Sequence, residues 1–361
     1  MSVKVTMGLK KEIVICLIAL LFVMSMMAQY KVAEAASLGQ RLLYAGIAIT
    51  FVNTYFNHLN DHGQKDILAN TKKQTGVYND EQANTRIYTI ANRLKSSGLI
   101  KENYAIYVNP KKEFNAFCTL GHVISVNKGA LDSLDDDELA AVIAHEMRHG
   151  EAKHPVQGVT KAVGIGLAVD IYLSGNKNNA SYILSGVAGN YINNEMFTMD
   201  QEWEADNYGF EYVTAAGYNP GGPAASMVKL RFLLGDLWHE GLARTVNPNN
   251  HPKTTARINN FAKKMMNYSE GHITVKNDKT VQIDGQEIMT PVKTDNHFGE
   301  ERAYLMAGRL AQVYHNHELA AAYIGDNGAV YIGERQIITT ADNDISATEI
   351  VNKINSILKL N

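Results

Sequence analysis

Apolar positions recur at helical spacing from Leu38 to Phe56, and polar helices follow around residues 66–73 and 80–97. Three short runs of β-forming residues, 104–108, 115–119 and 123–127, are separated by Asn109-Pro110 and Gly121, which predicts a small sheet between helices. A half-buried helix then starts at Leu134. Ser133 and Asp136 stand in capping-box spacing, Asp135 and Asp137 suit the helix dipole, and the helix runs towards His154 before Pro155. A further helix covers 199–216 and is closed by Gly217. Between these two, the small-residue-rich runs 156–173 and 181–192 read as a buried helical hairpin, because Lys161 and Asp170 interrupt the first and the second is too short to span a membrane.

From Gly271 the texture changes. Alternating runs at 273–275, 281–283, 329–332 and 337–340, with turn signals at Asp284-Gly285 and Asn327-Gly328, predict hairpins packed on helices near 300–315 and 346–358. The pattern as a whole predicts an α+β fold. A mainly helical domain with a small sheet occupies 36–268, and a small C-terminal α+β domain occupies 269–361.

The first 35 residues differ in kind. Lys10 and Lys11 precede a 16-residue apolar run from Ile13 to Ala28, and Ala33-Glu34-Ala35 offers a cleavage site, so residues 1–35 read as a secretory signal peptide. An uncleaved anchor is the weaker reading, since a spanning helix needs about 20 residues. This segment carries four lysines against two glutamates, so of the chain's net charge of −3 the remainder holds −5. That surface would repel nucleic acid. Cleavage leaves Cys118 as the single cysteine, which permits no internal disulfide in an oxidising compartment.

The chemistry concentrates in His145-Glu146-Met147-Arg148-His149, an H-E-x-x-H pattern expected by chance only about 0.02 times in this composition. Four residues is just over one helical turn, so both imidazoles leave one face and can share a tetrahedral Zn²⁺. Glu146, turned about 100° from His145, can reach a water at the metal without taking a metal position. A third protein ligand is needed. On a continuous helix His154 would stand about 140° off the ligand face, so it reads as a structural or rim histidine. Glu202 is the better candidate, with Asp206 one turn on to bind the second ring nitrogen of a ligating histidine; a solvated acidic helix start is the alternative. His251 reads as an oxyanion stabiliser or water-displacing gate, or else as part of an Asn-His-Pro turn. The pair His315 and His317 reads as a weak metal site or, more simply, as an exposed loop pair.

Together His145-Glu-x-x-His149, Glu202-x-x-x-Asp206 and His251-Pro252-Lys-Thr-Thr-Ala-Arg257 resemble the gluzincin peptidases of the HtpX and type 1 CAAX prenyl protease family, and within it the soluble periplasmic, BepA-like branch. The resemblance extends over about 38–266. It implies a zincin-type domain and a zinc endopeptidase with one Zn²⁺ per chain, held by His145, His149 and Glu202, with Glu146 as general base. Cys118 and Thr119 depart from the family's usual pattern after Asn115-Ala-Phe, a departure that concerns the substrate edge and not the metal ligands. Residues 115–118 read either as an edge strand pairing with an extended substrate or as an ordinary strand.

The expected partner is a polypeptide substrate, with unfolded or misassembled envelope proteins as its class and an exported, periplasmic or extracellular location. Contact with a membrane surface stays open; a span does not, once the signal is removed. The C-terminal domain would recruit a substrate or an envelope partner, or serve as a structural brace. A zinc-stabilised chaperone or adaptor is the rival function, and it would have no need of Glu146. A metal-dependent hydrolase of cell-wall or small-molecule bonds would share the whole ligand set. A structural zinc site would need a fourth Cys or His.

Overall fold

The computed structural model describes residues 38–174, 177–191, 197–235 and 253–360. The signal peptide read over 1–35, and His251, lie outside the described residues. The described chain opens with helices α1 (Leu38–His62), α2 (Gln64–Thr75) and α3 (Glu81–Ser96). The three β-type runs form one sheet of β1 (Ala105–Asn109), β2 (Ala116–Thr119) and β3 (Val123–Asn127), in the order β1-β3-β2. β1 runs parallel to β3, with Ala105 opposite Val123, and β2 runs antiparallel to β3, with Cys118 opposite Ile124. This leaves β2 at an edge. A short helix α4 (Lys128–Ser133) leads into α5 (Asp136–Glu151), which carries the H-E-x-x-H residues. Leu139, Ile143 and Met147 of α5 are buried in one apolar cluster with Ile106, Cys118 and Ile124 of the sheet, and with Ile87 and Leu94 of α3.

Both ends of α5 differ from the sequence reading. Ser133 closes α4 instead of capping α5, because Leu134 is extended (φ −109°, ψ 143°) and separates the two helices. The cap is Asp135, whose side chain accepts the Glu138 N–H at 2.9 Å while the Glu138 carboxylate accepts the Asp135 N–H at 3.0 Å. At the other end α5 stops at Glu151 instead of continuing towards Pro155. Lys153 takes a left-handed φ of 54°, and the chain restarts as α6 (His154–Ser174), with Pro155 in the first turn where its missing N–H costs nothing.

α6 and α7 (Lys177–Tyr191) form the expected hairpin. One side packs on α1 through Ala48, Val52, Phe56, Val159, Val163 and Leu184. The other side leaves Ile165, Leu167 and Tyr182 exposed, so the hairpin is half-buried where full burial was expected. Among the described residues no helix is long and apolar enough to cross a membrane.

After α8 (Met199–Ala215) come two helices the sequence reading did not single out, α9 (Gly222–Leu234) and α10 (Thr254–Tyr268). In α9 every residue from Gly222 to Leu230 is buried. A helix covered on all sides carries no polar stripe and therefore no helical period to read. The remainder follows the expected hairpins and helices, with β6 and β7 in addition to the four runs read from the sequence: an antiparallel sheet of β4 (Ile273–Lys276), β5 (Thr280–Ile283) and β6 (Gln286–Met289), helix α11 (Gly299–His315), a second antiparallel sheet of β7 (Ala322–Ile324), β8 (Val330–Ile332) and β9 (Arg335–Ile338), and helix α12 (Ala347–Leu358). The fold is α+β and mainly helical. One apolar cluster joins these C-terminal elements to α9, α10 and Phe210 of α8.

At the start of α5 this junction holds an unusual set of charges. Asp135, Glu138 and His297 lie together, with the His297 Nε2 3.5 Å from Asp135 and 3.9 Å from Glu138. Glu138 is fully buried, and its Oε1 finds no donor among the described residues. Glu301 of α11 lies beside it, paired with Lys229 of α9 at 2.9 Å. Burial, with the charges of Asp135 and Glu301, pushes the Glu138 carboxyl well above the usual carboxylate range. The folded protein therefore holds a proton there that the unfolded chain releases near pH 4.5, so this group's contribution to stability falls as pH rises from that value through the folded pKa. Glu138→Gln keeps a capping-box residue without the charge. Thermal unfolding of this variant is expected to show a midpoint a few degrees above wild type at pH 8 and close to it at pH 4; a lower midpoint at pH 8 would contradict the assignment.

Candidate metal centre

Helices α5 and α8 bring the site together because they approach closely. A Cβ at Gly209 of α8 would lie 3.2 Å from the backbone N of His145, so a glycine there lets the two backbones meet. α8 has its own capping box, Thr198 with Gln201, which fixes the start of the helix one turn from Glu202.

The three expected ligands converge. The His145 and His149 Nε2 atoms are 3.1 Å apart, the His145 Nε2 lies 3.6 Å from one Glu202 oxygen, and the His149 Nε2 lies 3.4 Å from the other. Ligand atoms about 2.05 Å from a tetrahedral ion stand about 3.3 Å from one another, so these spacings, which involve both Glu202 oxygens, are of the size found between donors around one such ion. His149 and Glu202 are almost wholly buried. Two imidazole nitrogens and a carboxylate, turned on one another away from water, are a donor set suited to a cation.

The other ring nitrogens are also held. His145 Nδ1 lies 3.0 Å from Asp206 Oδ1, and Asp206 accepts from Arg257 of α10, the Nε at 2.8 Å and the Nη2 as a second donor. Burial alone would raise the Asp206 carboxyl; the Arg257 and His145 charges overcome it and hold the carboxyl below its ordinary value. Burial likewise works against a charged His145, but Asp206 and Glu202 prevail and raise it. His149 has no carboxylate on its Nδ1, and burial pulls it down to about 4. Phe197 stacks on this ring at 3.9 Å.

Glu146 follows His145 on α5, and its carboxyl feels the charges of His145 and Glu202. It is buried, accepts a hydrogen bond from the Cys118 backbone N–H, and burial pushes its carboxyl up to about 7. A carboxyl poised there can take and return a proton near neutral pH. The Cys118 contact also places the β2 edge against the site.

Two contributors have no role in the sequence reading. Arg257 is visible there only as the last residue of a pattern. Phe197 lies in a loop with no motif. Of the two readings of His154, structural or rim, the structure supports the structural one. His154 is buried, with its Nδ1 2.9 Å from the His149 Nδ1, because the break at Lys153 turns it back towards the ligand face. The five-residue offset and the Gly150 and Pro155 around it were the available signals.

Residues 80–264, just over half of the chain, match Peptidase family M48. The chain belongs to this family. That stretch begins just ahead of α3 and ends within α10, so it contains Arg257 and both helices that carry the candidate ligands. Among curated relatives, this M48 chain is 34% identical over 149 residues to metalloprotease LoiP of Escherichia coli, which is 40% of the chain and 58% of that protein. It is 26% identical over 159 residues to metalloprotease YcaL of the same organism, 43% of the chain and 59% of that protein. A putative beta-barrel assembly-enhancing protease of Vibrio cholerae is 25% identical over 153 residues, 40% of the chain and 32% of that protein. In each case the match spans less than two thirds of the relative's length.

Proposed function

We propose that this M48 chain is a zinc-dependent endopeptidase that hydrolyses peptide bonds of unfolded or misassembled envelope proteins, with Glu146 as general base. The observation that carries this reading is the buried Glu146 carboxyl beside a convergent His145, His149 and Glu202. Those three residues would hold one Zn²⁺ per chain, which supplies a Lewis acid for the scissile carbonyl and acidifies water. Glu146 takes the proton of the attacking water and delivers it to the leaving amine. Asp206 orients His145. The edge of β2 offers backbone groups to an extended substrate, so the peptide adds as a strand beside Glu146. His251 enters from the sequence alone, as the group that would stabilise the developing oxyanion.

The finer placement follows the same lines. The resemblance to the soluble periplasmic, BepA-like branch and the name of the Vibrio cholerae relative, a putative beta-barrel assembly-enhancing protease, support our reading of an exported, periplasmic or extracellular enzyme. We divide the chain into a signal peptide at 1–35, a peptidase domain at 36–268 and an accessory domain at 269–361 that braces the ligand helices and offers a surface to an envelope partner. A zinc-stabilised chaperone or adaptor is the competing reading, and it leaves Glu146 without a task.

The test is incubation of the mature chain with unfolded casein, with and without a chelator. Cleavage that stops with chelator and returns with about one equivalent of zinc is the expected result. Cleavage indifferent to chelator, or a chain that binds no metal, would overturn the proposal.

A further inference from the structure

Each candidate ligand histidine is backed by a carboxylate and an arginine, but by different routes. For His145 the route is direct, through Asp206 and Arg257. For His149 an imidazole is inserted. His149 Nδ1 stands 2.9 Å from His154 Nδ1, His154 Nε2 stands 3.5 Å from Glu204 Oε2, and Glu204 accepts from Arg148 Nε at 3.1 Å and from its Nη2. The Arg148 guanidinium lies 3.9 Å above the Tyr208 ring, which fixes the far end.

Proton counting gives this chain one direction. Two imidazole nitrogens 2.9 Å apart share a single proton. To offer an Nε2 lone pair towards His145 and Glu202, a neutral His149 must carry its proton on Nδ1 and donate it to His154. His154 then accepts on Nδ1 and carries its own proton on Nε2, facing the Glu204 carboxylate. With the roles reversed, His149 would have to hold its proton on Nε2, in the place where the ligand atoms meet.

We propose that His154, oriented by Glu204, is a positioning residue that selects the metal-binding tautomer of His149. The inference rests on the metallopeptidase reading above, and it extends the outer shell of the site to the first residue of α6. Outer partners of ligating histidines contribute about 10–100-fold in metal affinity.

The experiment compares zinc dissociation constants, by competition with a chromophoric chelator, for wild type, His154→Ala, His154→Asn and Glu204→Ala. The visible spectra of their Co²⁺ forms and the unfolding of the metal-free proteins are recorded alongside. His154→Ala is expected to weaken zinc by about 10–100-fold and to shift the Co²⁺ bands. His154→Asn, whose amide oxygen can accept the same proton, is expected to recover most of that affinity. Glu204→Ala, a change at a partly exposed position outside the core, should weaken zinc several-fold with the fold intact. Wild-type affinity and an unchanged Co²⁺ spectrum in His154→Ala would overturn the inference; if the His154 variants do not fold, wild-type affinity in Glu204→Ala overturns it. A wild-type chain that binds neither metal would instead remove the reading on which it rests.

Discussion

Glu146→Gln is expected to fold, to bind metal as the wild type does, and to lose on the order of 10²–10⁴-fold in peptide-bond hydrolysis. The amide has the size of the carboxyl and can still accept the Cys118 N–H, so neither α5 nor its contact with β2 is disturbed. It cannot accept a proton. The three convergent ligand atoms belong to other residues, so the loss should appear in kcat with metal content unchanged. Turnover of a fluorogenic peptide by variants of measured metal content is the check. A metal-loaded Glu146→Gln enzyme with substantial residual activity would remove Glu146 as the base. His145→Ala, by contrast, should lose metal and activity together.

The second large effect concerns the C-terminal region. A chain ending at Tyr268 is expected to aggregate or remain unfolded. Phe210, Met227, Leu230, Ile258, Phe261 and Met265 share their apolar cluster with α11 and the sheets β4-β5-β6 and β7-β8-β9. Burial of each such side chain is worth about 1.5–3 kcal/mol, so uncovering even half of that surface costs about as much as a typical domain's whole stability, roughly 5–15 kcal/mol. Polar links would be lost as well: Asn219 Nδ2 donates to the Leu305 carbonyl at 2.9 Å, and Gln312 Nε2 donates to the Tyr218 carbonyl at 3.0 Å. Circular dichroism and gel filtration of the fragment decide the matter. A folded monomer that still cleaves casein would show that 269–361 serves recruitment alone and does not brace the ligand helices.

The parts of the site set by local spacing were legible in the sequence. Two histidines four apart on a helix must share a face, and Glu202 and Asp206 on a second helix need only one close helix contact to reach them. The alternating C-terminal hairpins, buried on one side, were legible, whereas α9, buried all round over Gly222 to Leu230, was not. The misplaced features share one cause. An extended Leu134 parts Ser133 from α5, and the left-handed Lys153 ends that helix before His154. Both features lie at helix ends, where a single residue's backbone angle decides what the next five residues face. Arg257 shows a different limit. Its partner Asp206 lies 51 residues away in sequence, and only the packing of α10 on α8 joins them.

The shared C-terminal cluster also sets an order of events during synthesis. Chains are made N-terminus first, and their regions begin to fold in that order. His145, His149 and Glu202 all emerge well before residues 299–315, the helix α11 that covers α9. Until those residues arrive, the face of α9 that α11 covers stays bare and the helices behind the candidate ligands lack their backing. A nascent chain that has not yet reached α11 thus carries the whole candidate ligand set without the apolar framework behind it.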